Sequence, residues 1–390
     1  MRQSSSAPAP AALAGVALAG ALLVAALWQV PGSAAGAATM APARGTSAGT
    51  AAATASSVGP TASSVGADHR CVVGPGRPRI AWSRLRNPIL SSPDAAEKDE
   101  AIVWYAGRWH MIFSYARHDR TAPGGVRWDI ATATSTDLSH WSAAELWPRQ
   151  PEALGTASPD VVRAPDGLFV VTYQSDPGQV GGAQDRLYYR TSRDLEHWSA
   201  PHPLAQNLAP APRDRMIDGA LAFTGGGAIL GFKWGTTGGT QVFEIAWSPR
   251  GSLAGPWQLV GRPDVSVYGQ TVENYEFVGV GGHWDLVATT NILDQPWLFT
   301  LAGDPARPSG WLRWDKGRQL EVPAGRWDSA PGLSSVTHEV DNSAFLCVDP
   351  ADGTDYLLYA GSDELTQFGG WGHAEIGIAA SNDLVHWKTP

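Results

Sequence analysis

A seven-residue phrase, S-x-D-L-x-H-W, occurs three times in this chain of 390 residues, at 135–141, 192–198 and 381–387. The first two copies begin 57 residues apart, and the last two begin 189 residues apart, which is about three lengths of 63. A repeat of about sixty residues, with two altered copies between the second and third phrases, explains both intervals.

Five segments share one order: an acidic residue, an apolar run, a glycine-containing turn and a second apolar run. The acidic residues that open them are Asp99, Asp160, Asp218, Glu273 and Asp341. Two apolar runs around such a turn predict a β-hairpin. Five units of roughly four short strands, without helical periodicity, predict an all-β fold, a five-bladed β-propeller.

The repeated phrase itself predicts the turn between the third and outer strands of a blade. Its Asp is expected to cap the turn backbone, and its Trp to fill the gap between neighbouring blades. Its His is expected to be an exposed turn residue without a ligand role.

The N-terminal 68 residues are expected to lie outside the propeller. The apolar stretch at 11–30, followed by small residues at 31–38, predicts that 1–38 is a secretory signal peptide; an uncleaved membrane anchor is the alternative. Residues 39–68 are mostly Ala, Ser, Thr, Gly and Pro and predict a disordered linker. The propeller at 69–390 is then secreted, or anchored and facing outside.

The sequence contains two cysteines, Cys71 and Cys347. In an oxidising compartment they are expected to form a disulfide between the start and the end of the propeller, with two buried free thiols as the alternative. Too few residues follow the third copy of the phrase to form an outer strand for blade five. The segment 77–85 is expected to pair with that uncovered edge instead.

The formal net charge of −9 argues against nucleic acid or an anionic membrane surface as a partner. The five acidic residues precede the predicted innermost strands and are expected to converge at one end of the central channel. Carboxylates placed so close repel one another, so packing alone does not select them. The alternative is that each is a solvated residue at a strand start.

Three of the segments resemble the acidic motifs of glycoside hydrolase family 43. They are KDEAIVWYAGRWHMIFS with Asp99, MIDGALAF with Asp218 and VENYEFVGVGGHWDL with Glu273. The resemblance covers 85–390 and implies a five-bladed enzyme, which we expect to be a monomer. Such enzymes cleave arabinose- or xylose-containing oligo- or polysaccharides with inversion, as α-L-arabinofuranosidases, arabinanases or β-xylosidases. Families 62 and 32 are related, although the Asp-Pro-Asn-Gly box of family 32 is absent.

The resemblance implies Asp99 as general base, Glu273 as general acid, and Asp218 as the group that orients Glu273 and raises its pKa. An inverting enzyme keeps base and acid about 6.5–9.5 Å apart, so that water fits between them. Glu100 stands where the family has Pro, and Asn274-Tyr275 replaces its Gly-Pro. Glu276 is the alternative acid, but its odd spacing from Glu273 predicts the opposite strand face.

Contacts to the sugar are expected from five further residues: Asp160, Trp234, Tyr275, His338 and Trp371. The resemblance also implies that His338 reaches the channel floor, where some members hold Ca²⁺ or Na⁺; hydrolysis requires no cofactor. Two alternatives stay open. The first is a non-catalytic propeller that binds glycans, which would account for the altered motifs. The second is a related propeller glycosidase or phosphorylase; a phosphorylase needs a basic phosphate pocket.

Overall fold

The five predicted hairpins form the inner strands of five separate antiparallel sheets. The computed structural model describes residues 71–73, 76, 78, 80–122, 125–148, 153–176, 185–211, 214–236, 241–269, 271–280, 283–290, 296–329, 341–349, 353–363 and 374–390. The predicted signal peptide at 1–38 and the linker at 39–68 lie outside these ranges. Within them, no helix is long and apolar enough to cross a membrane.

Each sheet is one propeller blade whose strands follow chain order from the inside outward. Blade one contains β1 (Ala95–Tyr105), β2 (Arg108–His118), β3 (Val126–Ser135) and β4 (Glu145–Leu146). Blade two contains β5 (Gly155–Arg163), β6 (Phe169–Asp176), β7 (Arg186–Ser192) and β8 (His202–Pro203). Blade three contains β9 (Asp214–Thr224), β10 (Gly227–Thr236), β11 (Val242–Pro249) and β12 (Gln258–Gly261).

Blade four contains β13 (Val272–Val280), β14 (His283–Thr290), β15 (Pro296–Thr300) and β16 (Arg318–Gln319). Blade five contains β17 (Asp341–Asp349), β18 (Thr354–Ser362) and β19 (Ala374–Ser381). Single 3₁₀ turns cover Trp82–Arg84, Gln206–Leu208 and Pro308–Leu312. The predicted all-β, five-bladed propeller is therefore confirmed.

The blades are held together by apolar side chains that pack between neighbouring sheets. Leu187 of blade two, for example, packs in one buried cluster with Leu221 and Phe223 of blade three. Because both faces of each inner sheet are buried, the strands are nearly continuous apolar runs, as the sequence showed. Burial of this kind contributes about 25 cal/mol per Å² of apolar surface.

The repeated phrase forms the same turn in blades one, two and five. In blade one, Oδ1 of Asp137 accepts the backbone N–H groups of Ser139 and His140, and Oδ2 lies 2.9 Å from Nδ1 of His140. Asp194 with His197 and Asp383 with His386 repeat this arrangement. The predicted cap and the exposed histidines are confirmed.

The tryptophan of the phrase packs between blades, as predicted. The ring of Trp198 in blade two lies 5.0 Å from that of Trp147, which follows β4 of blade one. In the altered copy of blade four, Asp304 still accepts a backbone N–H and pairs with Arg307 three residues later, at 3.4 Å. Arginine there takes the place of histidine, so the turn is kept although the phrase is lost.

Every inner strand is interrupted by a β-bulge at the same position. The bulge residues have left-handed φ angles between 51° and 56°, and they are Asp99, Ser158, Asp218, Asn274 and Ser343. Glu273 precedes the bulge residue of its strand by one position, and Asp160 follows its own by two. The five acids that open the segments therefore do not occupy one common register position.

The N-terminal residues close the ring in two places. Val72 forms a parallel bridge to Trp104 of β1, and Cys71 is disulfide-bonded to Cys347 of β17, as predicted. The outer edge of blade five is paired by Leu90, which bridges Ile376, and by Lys388, which bridges Ala380; the described residues of 77–85 form no bridge to it. The side chain of Asn87 fixes this register, because it bonds both the N–H and the carbonyl of Ile378.

Candidate active site

Three carboxyl groups from blades one, three and four lie close enough to influence one another's ionisation. They belong to Asp99, Asp218 and Glu273, the three residues that the sequence predicted as catalytic. Each lies at or beside the bulge of an inner strand, so the bulges direct all three toward one end of the channel. The structure thus brings the predicted triad together.

The carboxyl group of Asp99 is held in one orientation by three serine hydroxyls. Oδ2 accepts hydrogen bonds from Ser114 at 2.6 Å and Ser158 at 3.3 Å, and Oδ1 accepts one from Ser343 at 2.7 Å. The ammonium group of Lys98 lies 3.3 Å from Oδ1. Since Ser158 and Ser343 are the bulge residues of the two adjoining blades, Asp99 sits where blades five, one and two meet.

Asp218 is buried beside the other two acids. Its backbone N–H donates to Oε1 of Gln174 at 3.0 Å. Burial raises the pKa of Asp218 to about 6; the ammonium of Lys233 opposes this shift, and the negative charges of Glu273 and Asp99 add to it. A carboxyl with this pKa can hold a proton in mildly acidic solution, as a general acid requires.

Two lysines that the sequence analysis did not single out complete the cluster. Lys233 is buried, and its ammonium contacts Oε2 of Glu273. Burial alone would lower the pKa of Lys98, but the carboxylates of Asp99, Glu273 and Asp218 together raise it. The sequence did carry a signal for Lys233, which is the one charged residue of the apolar strand β10, whereas Lys98 stands between the acidic residues Glu97 and Asp99.

Of the predicted sugar contacts, Tyr275 lies in the core and Trp234 is half-buried. Tyr275 is only 4% exposed; its ring stacks on Phe243 at 3.9 Å, and its hydroxyl donates to the carbonyl of Val272 at 2.6 Å. It is a core residue whose pKa is raised well above its ordinary value by burial and by the negative charges of Asp218 and Glu273. Trp234 is half-buried and packs against the apolar cluster between blades two and three.

Asp160 lies with Glu276 in a separate small cavity near Cys71, rather than with the three acids. Oδ2 of Asp160 accepts the N–H of Leu221 at 3.4 Å, and Oε2 of Glu276 accepts that of Leu346 at 2.6 Å. Burial raises the pKa of Asp160 to about 7 and that of Glu276 well above its ordinary value. Each thus satisfies an inner-strand amide of the next blade, which is a structural position.

His338 and Trp371 lie outside the described residues, and with them the expected Ca²⁺ or Na⁺ site. Within the described ranges, no group of three or more His, Cys, Asp or Glu side chains is arranged to hold a metal ion. The carboxyl groups of Asp99, Asp218 and Glu273 can carry out proton transfer.

No protein-family model matches the sequence, and no characterised protein matches it significantly. An α-L-arabinofuranosidase from Lactobacillus brevis aligns with a TM-score of 0.54 and 13% identity, over 79% of this chain and 97% of its own. A glycosyl hydrolase from Bacteroides ovatus gives 0.51 and 15%, over 83% and 99%. A xylan β-1,4-xylosidase from Bacillus halodurans C-125 gives 0.50 and 17%, over 78% of this chain and 56% of its own. At these identities the chain shares the fold of these proteins.

Proposed function

We propose that this protein is an exported, monomeric glycoside hydrolase that cleaves arabinose- or xylose-containing glycans with inversion. The observation that carries the proposal is the set of three interacting carboxyl groups at one channel end, of which Asp218 has a pKa raised to about 6. The shared fold of an arabinofuranosidase and a xylosidase supports the substrate class. The disulfide and the apolar N-terminal stretch support export, with or without a retained anchor.

In the proposed reaction Asp99 is the general base. It takes a proton from water, whose oxygen bonds to the anomeric carbon while the glycosidic bond breaks on the opposite side. The leaving oxygen receives a proton from the neighbouring Glu273–Asp218 pair. Glu273 is the donor assigned by the resemblance, and Asp218 orients it and shares its proton. The outer sugar contacts are proposed to include Trp234, His338 and Trp371.

Lys98 and Lys233 favour a second candidate, a glycoside phosphorylase, because ammonium groups can hold phosphate. Their pairing with Asp99 and Glu273 leaves less positive charge for an anion. A single assay separates the candidates. Hydrolysis proceeds without phosphate and yields free sugar, whereas phosphorolysis requires phosphate and yields a sugar 1-phosphate.

The proposed function is tested with nitrophenyl α-L-arabinofuranoside, β-xyloside and β-galactoside, followed by arabinan and arabinoxylan. We expect hydrolysis of at least one arabinoside or xyloside, reduced about 10²–10⁴-fold in Asp99→Asn. The matched control is Asp304→Asn, at an exposed turn of blade four, which should keep full activity. Full activity of Asp99→Asn would overturn the assignment of this site, and initial product with retained anomeric configuration would overturn inversion.

A further inference from the structure

A groove of 610 Å³ opens between blades two and three. It is lined by the turns at 164–168, 224–227 and 250–254, together with side chains of β7 and β8. The first two turns follow the C-terminal ends of the inner strands, whereas the bulges lie toward their N-terminal ends. From Asp218 to Thr224 a strand rises about 20 Å. A ligand in this groove therefore does not contact the three acids.

The groove lies where the sequence repeat departs from its pattern. Blade three reads SPRGSLAGPW at 248–257, so Arg250 stands two residues after Ser248, where blades one, two and five have the aspartate of their phrase. The hydroxyl of Ser248 instead donates to the carbonyl of Ser252 at 2.6 Å. Ser and Trp are also three residues further apart than in the phrase. The longer turn, without its Asp–His pair, forms one wall of the groove.

The groove combines stacked rings with polar groups of both charges. The rings of Tyr189 and His202 lie 5.2 Å apart and 28° from parallel, so they are held in place before any ligand arrives. Arg250 and Asp166 are exposed on opposite walls, and Phe223 contributes to an apolar floor. The volume falls within the range of about 300–1,000 Å³ typical of small-molecule sites.

This combination suits a carbohydrate better than a charged or wholly apolar ligand. A sugar ring presents an apolar face that packs on aromatic rings, and hydroxyls that both donate and accept hydrogen bonds. One guanidinium and one carboxylate supply donors and acceptors without a net charge. The contacts are spread along a groove, which matches a chain of sugar units rather than a single one.

We propose that this groove is a second glycan-binding site, which holds a segment of the polymer while another part of it reaches the acids. The choice of a glycan as ligand rests on the proposed function. Holding the polymer at a second point raises the local concentration of scissile bonds without changing the chemistry. The effect should therefore appear with polymers and be absent with small glycosides.

The test compares the full chain with His202→Ala/Arg250→Asn. Asparagine tolerates the φ of 60° at position 250, and both side chains are exposed, so the fold should be kept. Arg307→Asn is the control, because it removes the same charge from the equivalent region of blade four. Binding is measured as retardation in native gels that contain soluble arabinoxylan, xylan or arabinan.

We expect at least one polymer to retard the wild type and the control, and the double variant to bind it at least fivefold more weakly. KM for that polymer should rise at least threefold, with kcat/KM for a nitrophenyl glycoside unchanged. Retardation of the double variant equal to wild type, or no retardation of wild type by any of the three polymers, would overturn the proposal. Retardation lost only in the double variant, with no hydrolysis by wild type, would support the groove and reject the proposed function.

Discussion

The ammonium group of Lys233, on β10, contacts the carboxylate of Glu273, on β13. The contact ties the second strand of blade three to the inner strand of blade four. Removing one partner of a buried pair leaves the other charge uncompensated, so neither side chain leaves this position readily. The ion pair therefore fixes both the position of Glu273 and the charge around Asp218.

Lys233→Met should shift the pH dependence of catalysis. The ammonium of Lys233 lowers the pKa of Asp218, which burial has raised to about 6, so its removal should raise that pKa further. We expect the alkaline limb of kcat/KM to move to higher pH and kcat to fall at least tenfold as Glu273 loses its partner. Lys316→Met, at an exposed lysine, is the control; an unshifted profile in Lys233→Met would contradict this role.

Glu273→Gln and Asp99→Asn should differ in their dependence on the leaving group. A nitrophenolate leaves without protonation, so Glu273→Gln should retain far more activity on nitrophenyl glycosides than on natural linkages. Asp99→Asn should lose both equally, because water must be activated in either case. The two kcat/KM ratios are the measurement. If Glu273→Gln loses activity equally on nitrophenyl glycosides and on natural linkages, Glu273 is not the proton donor and Asp218 is left as the acid.

Asp160→Asn should stabilise the protein at alkaline pH. Burial raises the pKa of Asp160 from 3.8 to about 7, so the folded state binds the proton more tightly than the unfolded state. The free energy of unfolding therefore falls as the pH rises from about 4 to about 7. Above pH 7 the charged carboxylate of Asp160 lowers it by at most about 4 kcal/mol. The amide oxygen can still accept the N–H of Leu221.

Thermal melts at pH 4 and pH 8 check this prediction. Tm of Asp160→Asn should exceed that of wild type at pH 8 and match it near pH 4. Asp264→Asn, at an exposed position, should match wild type at both. A destabilised Asp160→Asn at pH 8 would show that the carboxylate is needed in its charged form.

Loss of the disulfide should destabilise the propeller. Cys71 and Cys347 are 276 residues apart in sequence, and cross-linking so long a loop contributes about 5 kcal/mol by the chain-entropy estimate. We expect Cys71→Ala/Cys347→Ala to lower Tm by about 10 °C. The reduced wild type should have the same Tm as the variant. Mass spectrometry that finds both thiols free in exported protein would exclude the disulfide.

The propeller could be predicted because its evidence is repeated five times along the chain. One altered phrase, as at Asp304 and Arg307, does not hide a repeat whose hairpins remain. The triad was predictable for a different reason, since Asp99, Asp218 and Glu273 stand in segments that resemble known motifs. In both cases the signal is local in sequence.

What the sequence did not predict depends on contacts between blades. Residue spacing in the sequence does not show the extra residue of a bulge, so the surroundings of Asp160 and Tyr275 were predicted incorrectly. Lys233 becomes part of the site only because β13 of the next blade places Glu273 beside it. The segment that pairs with the outer edge of blade five was predicted incorrectly, because the side chain of Asn87, and not an apolar pattern, sets the register of that pairing.

The bulges have a consequence for how a propeller of this kind can change. A backbone held at a φ near 53° disfavours β-branched and bulky side chains and favours small polar ones, aspartate and asparagine above all. The five occupants are two aspartates, two serines and one asparagine. Steric selection by the backbone thus keeps a ring of five small polar residues in place whatever the protein does. New reactivity can arise at these positions when one of these three residue types replaces another, with no change to the fold.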